Sequence, residues 1–320
     1  MDSTFVVGID VGGQTSKIGV VNAEGTVLAQ TVIRTDTYSE IEPYIAELAE
    51  AVNKVIKESG TEGKVKGIGV GAPNGNYYTG TIEKAVNLTW GGGDAVVPFA
   101  KLLSEAMGGL PVALTNDANA AAVGEMKYGA ARGMKNFIMI TLGTGVGSGI
   151  IINGDVVYGH DGFAGELGHV TAVRENGRQC NCGKKGCLET YASATGVSRT
   201  AYEWLEKSDE PSVLRDLEKI ASKDVFEAAK AGDKLALKIF DFTGEILGHA
   251  FADFIAFSSP EAIVLFGGLA RAKEFLLPPM ENAMNENVLP LWRNKVKIVF
   301  SQLKESDAAI LGASALAWEL

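Results

Sequence analysis

One pattern occurs twice in this chain. "GIDVGGQTSKIGVVNAEG", beginning at Gly8, and "MITLGTGVGSGIIINGDV", beginning at Met139, superpose with Asp10 over Thr141. Each copy has a β-rich apolar run (Phe5 to Ile9; Phe137 to Leu142), a turn of Gly, Thr and Ser, and a second apolar run (Ile18 to Val21; Gly149 to Ile152) ending at Asn22 or Asn153. Two apolar runs across a short Gly-rich turn predict a β-hairpin in each half. The echo constrains the fold more than any local propensity does, because it points to a duplicated α/β unit. The length of 320 residues agrees, being more than a single core usually serves, so two lobes are expected.

Both turns suit phosphate. Glycines at Gly12, Gly13, Gly143, Gly145 and Gly147 allow close backbone approach, so successive N–H groups can surround phosphate oxygens, helped by the Thr15 and Thr144 hydroxyls. Neither turn is a Walker loop or a GxGxxG opening a helix. Asp10, the one carboxylate within the two turns, suits Mg²⁺ held directly or through water, or a turn cap. A third glycine signal follows in "PEAIVLFGGLA", where a strand from Ala262 to Phe266 is closed by Gly267 and Gly268. An amphipathic stretch from about Asp233 to Phe257 precedes it. This arrangement suits a nucleotide's sugar and base, or merely a tight turn after a core strand.

All three cysteines, Cys180, Cys182 and Cys187, lie in "RENGRQCNCGKKGCLETYAS". Gly183 and Gly186 let that segment curl until three thiolates converge, and His169 in the upstream "AGELGH" can supply a fourth ligand. The expectation is a closed Cys3His zinc site, which staples a loop and leaves no position for a reactive water. An odd cysteine count argues against a disulfide framework. The start "MDSTFVVGIDVGG" lacks the basic region of a signal peptide, and no long apolar run is present, so a cytoplasmic location is expected. A net charge of −10 with 29 basic residues argues against nucleic acid as a partner.

Acid–base chemistry points to "PVALTNDANAAAVGE". A β-rich run from Pro111 to Leu114 leads into Asn116 and Asp117, and the Ala-rich segment after them favours helix. Asp117 at that boundary can be a helix N-cap or a base within reach of a substrate hydroxyl. Glu166 and His169 stand one helical turn apart, and Glu189 follows the last cysteine. The zinc loop thus begins and ends at polar clusters, and would fix the separation of His169 and Glu189 around a polyhydroxylated ligand.

These residues together resemble the ROK group of repressors, uncharacterised reading frames and sugar kinases, and within it the bacterial glucokinases. The likeness runs from "GIDVGGQTSKIGVV" through "NDANAAAVGE", "ITLGTGVGSGI" and "GELGHV" to "CNCGKKGCLETYASATG" and "LFGGL". It implies an α/β chain with the actin-like ATPase (ribonuclease H-like) fold, two lobes flanking a cleft. The first lobe would span residues 1–115 plus about 306–320, and the second residues 116–305. It also implies ATP-dependent phosphorylation of a hexose, glucose being favoured, at the 6-hydroxyl. Asp117 would be the base, Asn116, Glu166, His169 and Glu189 would contact other hydroxyls, and His169 would share its ring between zinc and sugar. Asp10, Gly12, Gly13, Thr15, Thr144, Gly145, Gly267 and Gly268 would hold MgATP. Relatives form homodimers or homotetramers. Other acceptors, such as fructose, mannose or an N-acetylhexosamine, remain open, as does a sugar-responsive regulator. The early first strand leaves no room for a DNA-binding domain, which speaks against the regulator. Two positions depart from the family pattern: Gln14 stands where Thr is usual, and Asn74 in "GAPNGN" replaces Gly. Asn tolerates left-handed backbone, so the loop can keep its course.

Overall fold

The computed structural model describes residues 4–320; the expected first lobe begins at Met1, and residues 1–3 lie outside the described residues. The chain packs as two units. Unit 1 comprises Met1–Met134, Asp155–Gly165 and Gln302–Leu320, and unit 2 comprises Lys135–Gly154 and Glu166–Ser301.

Unit 1 is built on strands β1 (Phe5–Val11), β2 (Thr15–Val21), β3 (Val27–Arg34), β4 (Val65–Gly71) and β8 (Val112–Thr115), in the order β3-β2-β1-β4-β8. The β1–β2 and β2–β3 pairs are antiparallel, whereas β1–β4 and β4–β8 are parallel. A small sheet of β5 (Gly75–Asn76), β6 (Thr81–Glu83) and β7 (Val96–Val97) accompanies it, and β11 (Asp155–Val156) also falls in this unit. Helix α1 (Ile41–Glu58) buries Tyr44, Leu48, Val52 and Val55 in a core shared with Val7, Ile9, Ile18 and Ile68. Helix α2 (Phe99–Ala106) adds Phe99 and Leu103 to that core, whose polar edge is closed by Tyr44 Oη bonding Ser16 Oγ at 2.7 Å.

Helices α3 (Asp117–Tyr128) and α9 (Glu305–Leu316) cover the opposite face. In α9 the small residues of "AAILGASAL" are buried on nearly every side, so the helix carries no polar face to solvent. The sheet admits it through glycine: a Cβ at Gly8 would lie 2.1 Å from Ile310 O, and one at Gly69 only 1.9 Å from Ala313 O. On its other side α9 meets α3 where a Cβ at Gly124 would lie 2.7 Å from Gly312 Cα. This packing draws residues 116–134 into unit 1. The expected limit at residue 115 places them, with 155–165, in the second lobe; the packing of α3 on α9 places them in unit 1 instead.

Unit 2 repeats the theme. Strands β9 (Phe137–Leu142) and β10 (Val146–Ile152) form an antiparallel hairpin, followed by the parallel pairs of β9 with β12 (Ala262–Phe266) and of β12 with β13 (Lys297–Phe300). Hairpin plus two parallel strands is the arrangement of β1, β2, β4 and β8, so the echo in the sequence is an echo in topology. Helices α4 (Glu189–Ala192), α5 (Ala194–Lys207) and α6 (Ser222–Lys230) form a layer beside the long α7 (Lys234–Ser258), which packs on α8 (Lys273–Asn287). Asp233 caps α7 by accepting from Ala236 N at 3.0 Å. In β10 pairing starts at Val146, three residues before the expected run, because glycines 147 and 149 alternate with buried Ser148 and Ile150 and keep their ladder bonds.

The α9 seam gives a direct test. Gly69→Ala forces the helix off β4, and overpacking of this kind costs about 1–3 kcal/mol or more. Urea unfolding of Gly69→Ala should therefore show a lower midpoint, and a midpoint equal to wild type would refute the seam.

Candidate active site

Unit 1 brings two carboxylates to one edge of its sheet. Asp10 is the penultimate residue of β1, in register with Gly71 of β4, and Gly71 is in register with Thr115 at the end of β8. The chain then passes through Asn116 into α3, which Asp117 opens. A residue without a side chain thus separates the two acids, and a Cβ at Gly71 would stand 3.6 Å from Asp117 Cα. The capping role considered for Asp117 belongs instead to Asn116, whose Oδ1 accepts from Asn119 N at 2.7 Å. Capping from the preceding residue leaves Asp117 at the first helical position, with Oδ1 accepting from its neighbour Ala118 N at 2.8 Å.

Both acids are held above the ordinary carboxylate range. For Asp10 burial is the main cause and repulsion from Asp117 the next; Lys17 opposes them, and the pKa is pushed up to about 6. Asp117 retains access to solvent, but the protein crowding around it raises its pKa by desolvation, opposed by the Ala118 N–H. Beyond Asp10, Gly12 N donates to Thr15 O at 3.0 Å, and a Cβ at Gly13 would sit 2.8 Å from Asn87 O, so the first Gly turn is tight. Gln14 uses its carbonyl to accept from Thr35 N, and Thr15 opens β2. Asn74 adopts φ 51°, and its Nδ2 donates to Glu83 O at 2.9 Å, so the departure from glycine is accommodated by left-handed backbone.

Unit 2 gathers the remaining candidates. In its hairpin turn Gly143 N donates to Gly145 O, and Thr141, the counterpart of Asp10, accepts from Gly147 N at 3.1 Å. The "GELGH" segment forms a short 3₁₀ turn, Leu167–His169, with Glu166 at its N-cap. It docks on β10, where Leu167 N donates to Ser148 Oγ and a Cβ at Gly168 would fall 2.0 Å from Val146 O. Gly267, at φ 109°, abuts the end of β9, a Cβ there lying 2.5 Å from Leu142 O, and Gly268 opens the next turn.

The cysteine segment is a knuckle closed by bridges between Thr171 and Cys187 and between Gln179 and Lys185. His169 Nδ1 lies 3.8 Å from Cys180 Sγ, and Cys182 Sγ lies 3.6 Å from Cys187 Sγ; the four potential ligand atoms are all within 4.8 Å of one another. Tetrahedral zinc with thiolate ligands needs edges of about 3.8 Å, so the donor set fits a structural zinc ion. Glu189 stands directly behind the knuckle: its Oε2 accepts from Val146 N at 3.0 Å, and its Oε1 lies 3.7 Å from Cys180 Sγ.

Two participants had no usable signal in the sequence. Arg178 is buried in the knuckle, pairs with Glu203 at 2.7 Å, donates to Thr190 O and lies 4.4 Å over the Tyr191 ring. A lone Arg in a Lys-rich loop reads as a solvated charge. Tyr158 stacks on Tyr77 at 4.2 Å and bonds the Thr115 side chain just before Asn116 and Asp117. No motif marks it.

The ROK family model matches residues 6–319. A glucokinase of Halalkalibacterium halodurans is 38% identical over 317 residues, covering 98% of this chain and 94% of that protein. A glucokinase of Thermotoga maritima is 35% identical, covering 99% of this chain and 98% of that one. The crystal structure of a ROK family glucokinase from Streptomyces griseus in complex with glucose and AMPPNP shares 31% identity at a TM-score of 0.79, covering 99% of this chain and 100% of the other. With the repeated sheets, these likenesses identify the actin-like ATPase fold.

The geometry of each unit makes one prediction. Because its folded pKa is raised, Asp10 favours the folded chain fully below about pH 4, and this contribution is lost as pH rises through about 6. Asp10→Asn removes that titration, so in urea unfolding the variant should gain about 2 to 3 kcal/mol on wild type between pH 4 and 7. Parallel pH profiles would contradict the shift. In the knuckle, Cys182→Ser should sharply reduce zinc retained through dialysis, measured by mass spectrometry of the metal, and retention at the wild-type level would exclude this donor set.

Proposed function

This chain belongs to the ROK family, and on that premise we propose ATP-dependent phosphorylation of glucose at its 6-hydroxyl, with Asp117 as the general base. The observation that carries the reading is the pairing, in one unit, of a solvent-accessible Asp117 with Asp10 on the first Gly turn, both with raised pKa values. A carboxylate with a raised pKa is a stronger proton acceptor than an ordinary one.

In this reading the sugar oxygen attacks the terminal phosphorus of ATP while its proton passes to Asp117, and ADP departs with the electrons of the broken P–O bond. Little covalent work falls to the protein, so its contribution is position and charge. Asn116, Glu166, His169 and Glu189 orient the other sugar hydroxyls as acceptors and donors. The N–H groups of the Gly12–Gly13 and Thr144–Gly145 turns, with the Thr15 and Thr144 hydroxyls, hold the phosphates, and Gly267 and Gly268 leave room for the adenosine. Mg²⁺, for which Asp10 offers a hard oxygen ligand directly or through water, supplies charge neutralisation on the triphosphate when bound. His169, Cys180, Cys182 and Cys187 hold a structural zinc ion that fixes the knuckle. A cytoplasmic location and a homodimer or homotetramer complete the reading; among the described residues no helix is long and apolar enough to cross a membrane.

Asp117→Ala tests the central role. The variant should keep its fold and its affinity for AMPPNP while kcat drops by about 10²- to 10⁴-fold. Turnover near wild type would remove Asp117 from the mechanism. In a panel of hexoses assayed with ATP and Mg²⁺, glucose should give the highest kcat/KM, and a higher value for mannose, fructose or an N-acetylhexosamine would reassign the acceptor.

A further inference from the structure

Three separate bonds tie the phosphate turn of unit 2 to the segment that follows the last cysteine. Glu189 Oε2 accepts from Val146 N at 3.0 Å, Ala194 N donates to Gly143 O at 2.9 Å, and Thr195 Oγ1 donates to Thr144 O at 2.9 Å. The fit is close enough that a Cβ on Gly145 would stand 2.1 Å from Glu189 Oε2. Glu189 itself opens α4 two residues after Cys187, and its other carboxylate oxygen contacts Cys180. The His169 turn also bears on this hairpin, since Gly168 packs on Val146 O. Val146 therefore touches a residue next to His169 and one two positions after Cys187. A cavity of about 220 Å³ shares these walls, being lined by Thr144 and Gly145 of the turn, Cys180 and Asn181 of the knuckle, and Glu189 and Thr195 between them.

We infer that Glu189 is a positioning residue for the nucleotide as well as a sugar contact: it carries the order of the metal knuckle to the phosphate turn, so metal occupancy and nucleotide binding are thermodynamically linked. This rests on the reading of the second hairpin as a phosphate site. The physical basis is preorganisation. With the four ligands joined, Cys187 and Cys180 are fixed, α4 cannot rotate, and the Glu189 carboxylate holds the Val146 N–H and so the turn in one conformation. With the ligands unjoined, the knuckle retains only its short bridges, and the turn must be ordered at the expense of nucleotide affinity. Linkage is reciprocal, so nucleotide must strengthen metal binding by the same factor.

The test uses the full chain without sugar, with AMPPNP as probe. Calorimetry of the zinc-loaded chain and of the chain treated with chelator should show AMPPNP affinity falling about five-fold or more on metal removal, within the usual range of coupling between sites. In Glu189→Ala the two affinities should agree within about two-fold. Glu189→Gln, which keeps an oxygen acceptor for Val146 N–H, should retain most of the dependence, a rescue that loss of a merely structural side chain would not give. If the metal-free chain loses its helical circular dichroism, the rate of zinc release to a chromogenic chelator carries the test. AMPPNP should slow release from wild type several-fold and leave Glu189→Ala unchanged. Equal AMPPNP affinity with and without zinc, or equal release rates where those carry the test, would overturn the linkage while leaving the kinase reading intact. No AMPPNP binding by the loaded chain would overturn both.

Discussion

Two like charges across a glycine set the terms for this protein. Asp10 lies on β1 and Asp117 opens α3 just beyond the end of β8, on either side of β4, and the position between them is Gly71, so no side chain on the intervening strand screens one carboxylate from the other. Burial displaces Asp10 most, repulsion from Asp117 adds to it and Lys17 compensates only in part, so its pKa stands at about 6. Such an arrangement costs folding free energy and persists only because the surroundings over-determine it. The surroundings are the α9 seam: Gly8 and Gly69 admit the helix against β1 and β4, and Gly312 meets Gly124 in α3, so the strand and the helix that carry the two acids are locked by one shared helix. A cation at this edge relieves the repulsion, as the Mg²⁺ proposed for Asp10 would.

Unit 2 reuses the hairpin for a different purpose. Where the first copy has Asp10, the second has Thr141, which spends its hydroxyl on the Gly147 N–H. The second turn has no carboxylate of its own, and the acid that meets it is Glu189, whose Oε2 accepts from Val146 N. The buried Arg178, bridging Glu203, Thr190 and the Tyr191 ring, fastens the knuckle to α5.

Much of this was legible in the amino acids because glycine patterns report backbone geometry directly. The two hairpins, the strand from Ala262 to Phe266 and the convergence of His169 with the three cysteines all follow from residues whose chemistry has few other uses. Asn116 and Asp117 were legible as a junction, but their division of labour was not: either can cap, and only the direction of the Asn119 N–H decides. The unit boundary failed for a related reason, since the contact that draws α3 into unit 1 is made by Gly124 and Gly312, and close helix packing leaves no periodic apolar stripe to read. Arg178 and Tyr158 were invisible because their partners, Glu203 and Thr115, lie far along the chain and belong to no motif.

The most direct measurement is the pH dependence of kcat/KM for Mg-ATP at saturating glucose, which reports the ionisations of the enzyme before nucleotide arrives. If Asp10 sits at this edge as described, activity falls on the acid side with a midpoint near pH 6, where its carboxylate loses its charge. A profile that stays level down to about pH 4.5, the range of ordinary carboxylates, would contradict the account.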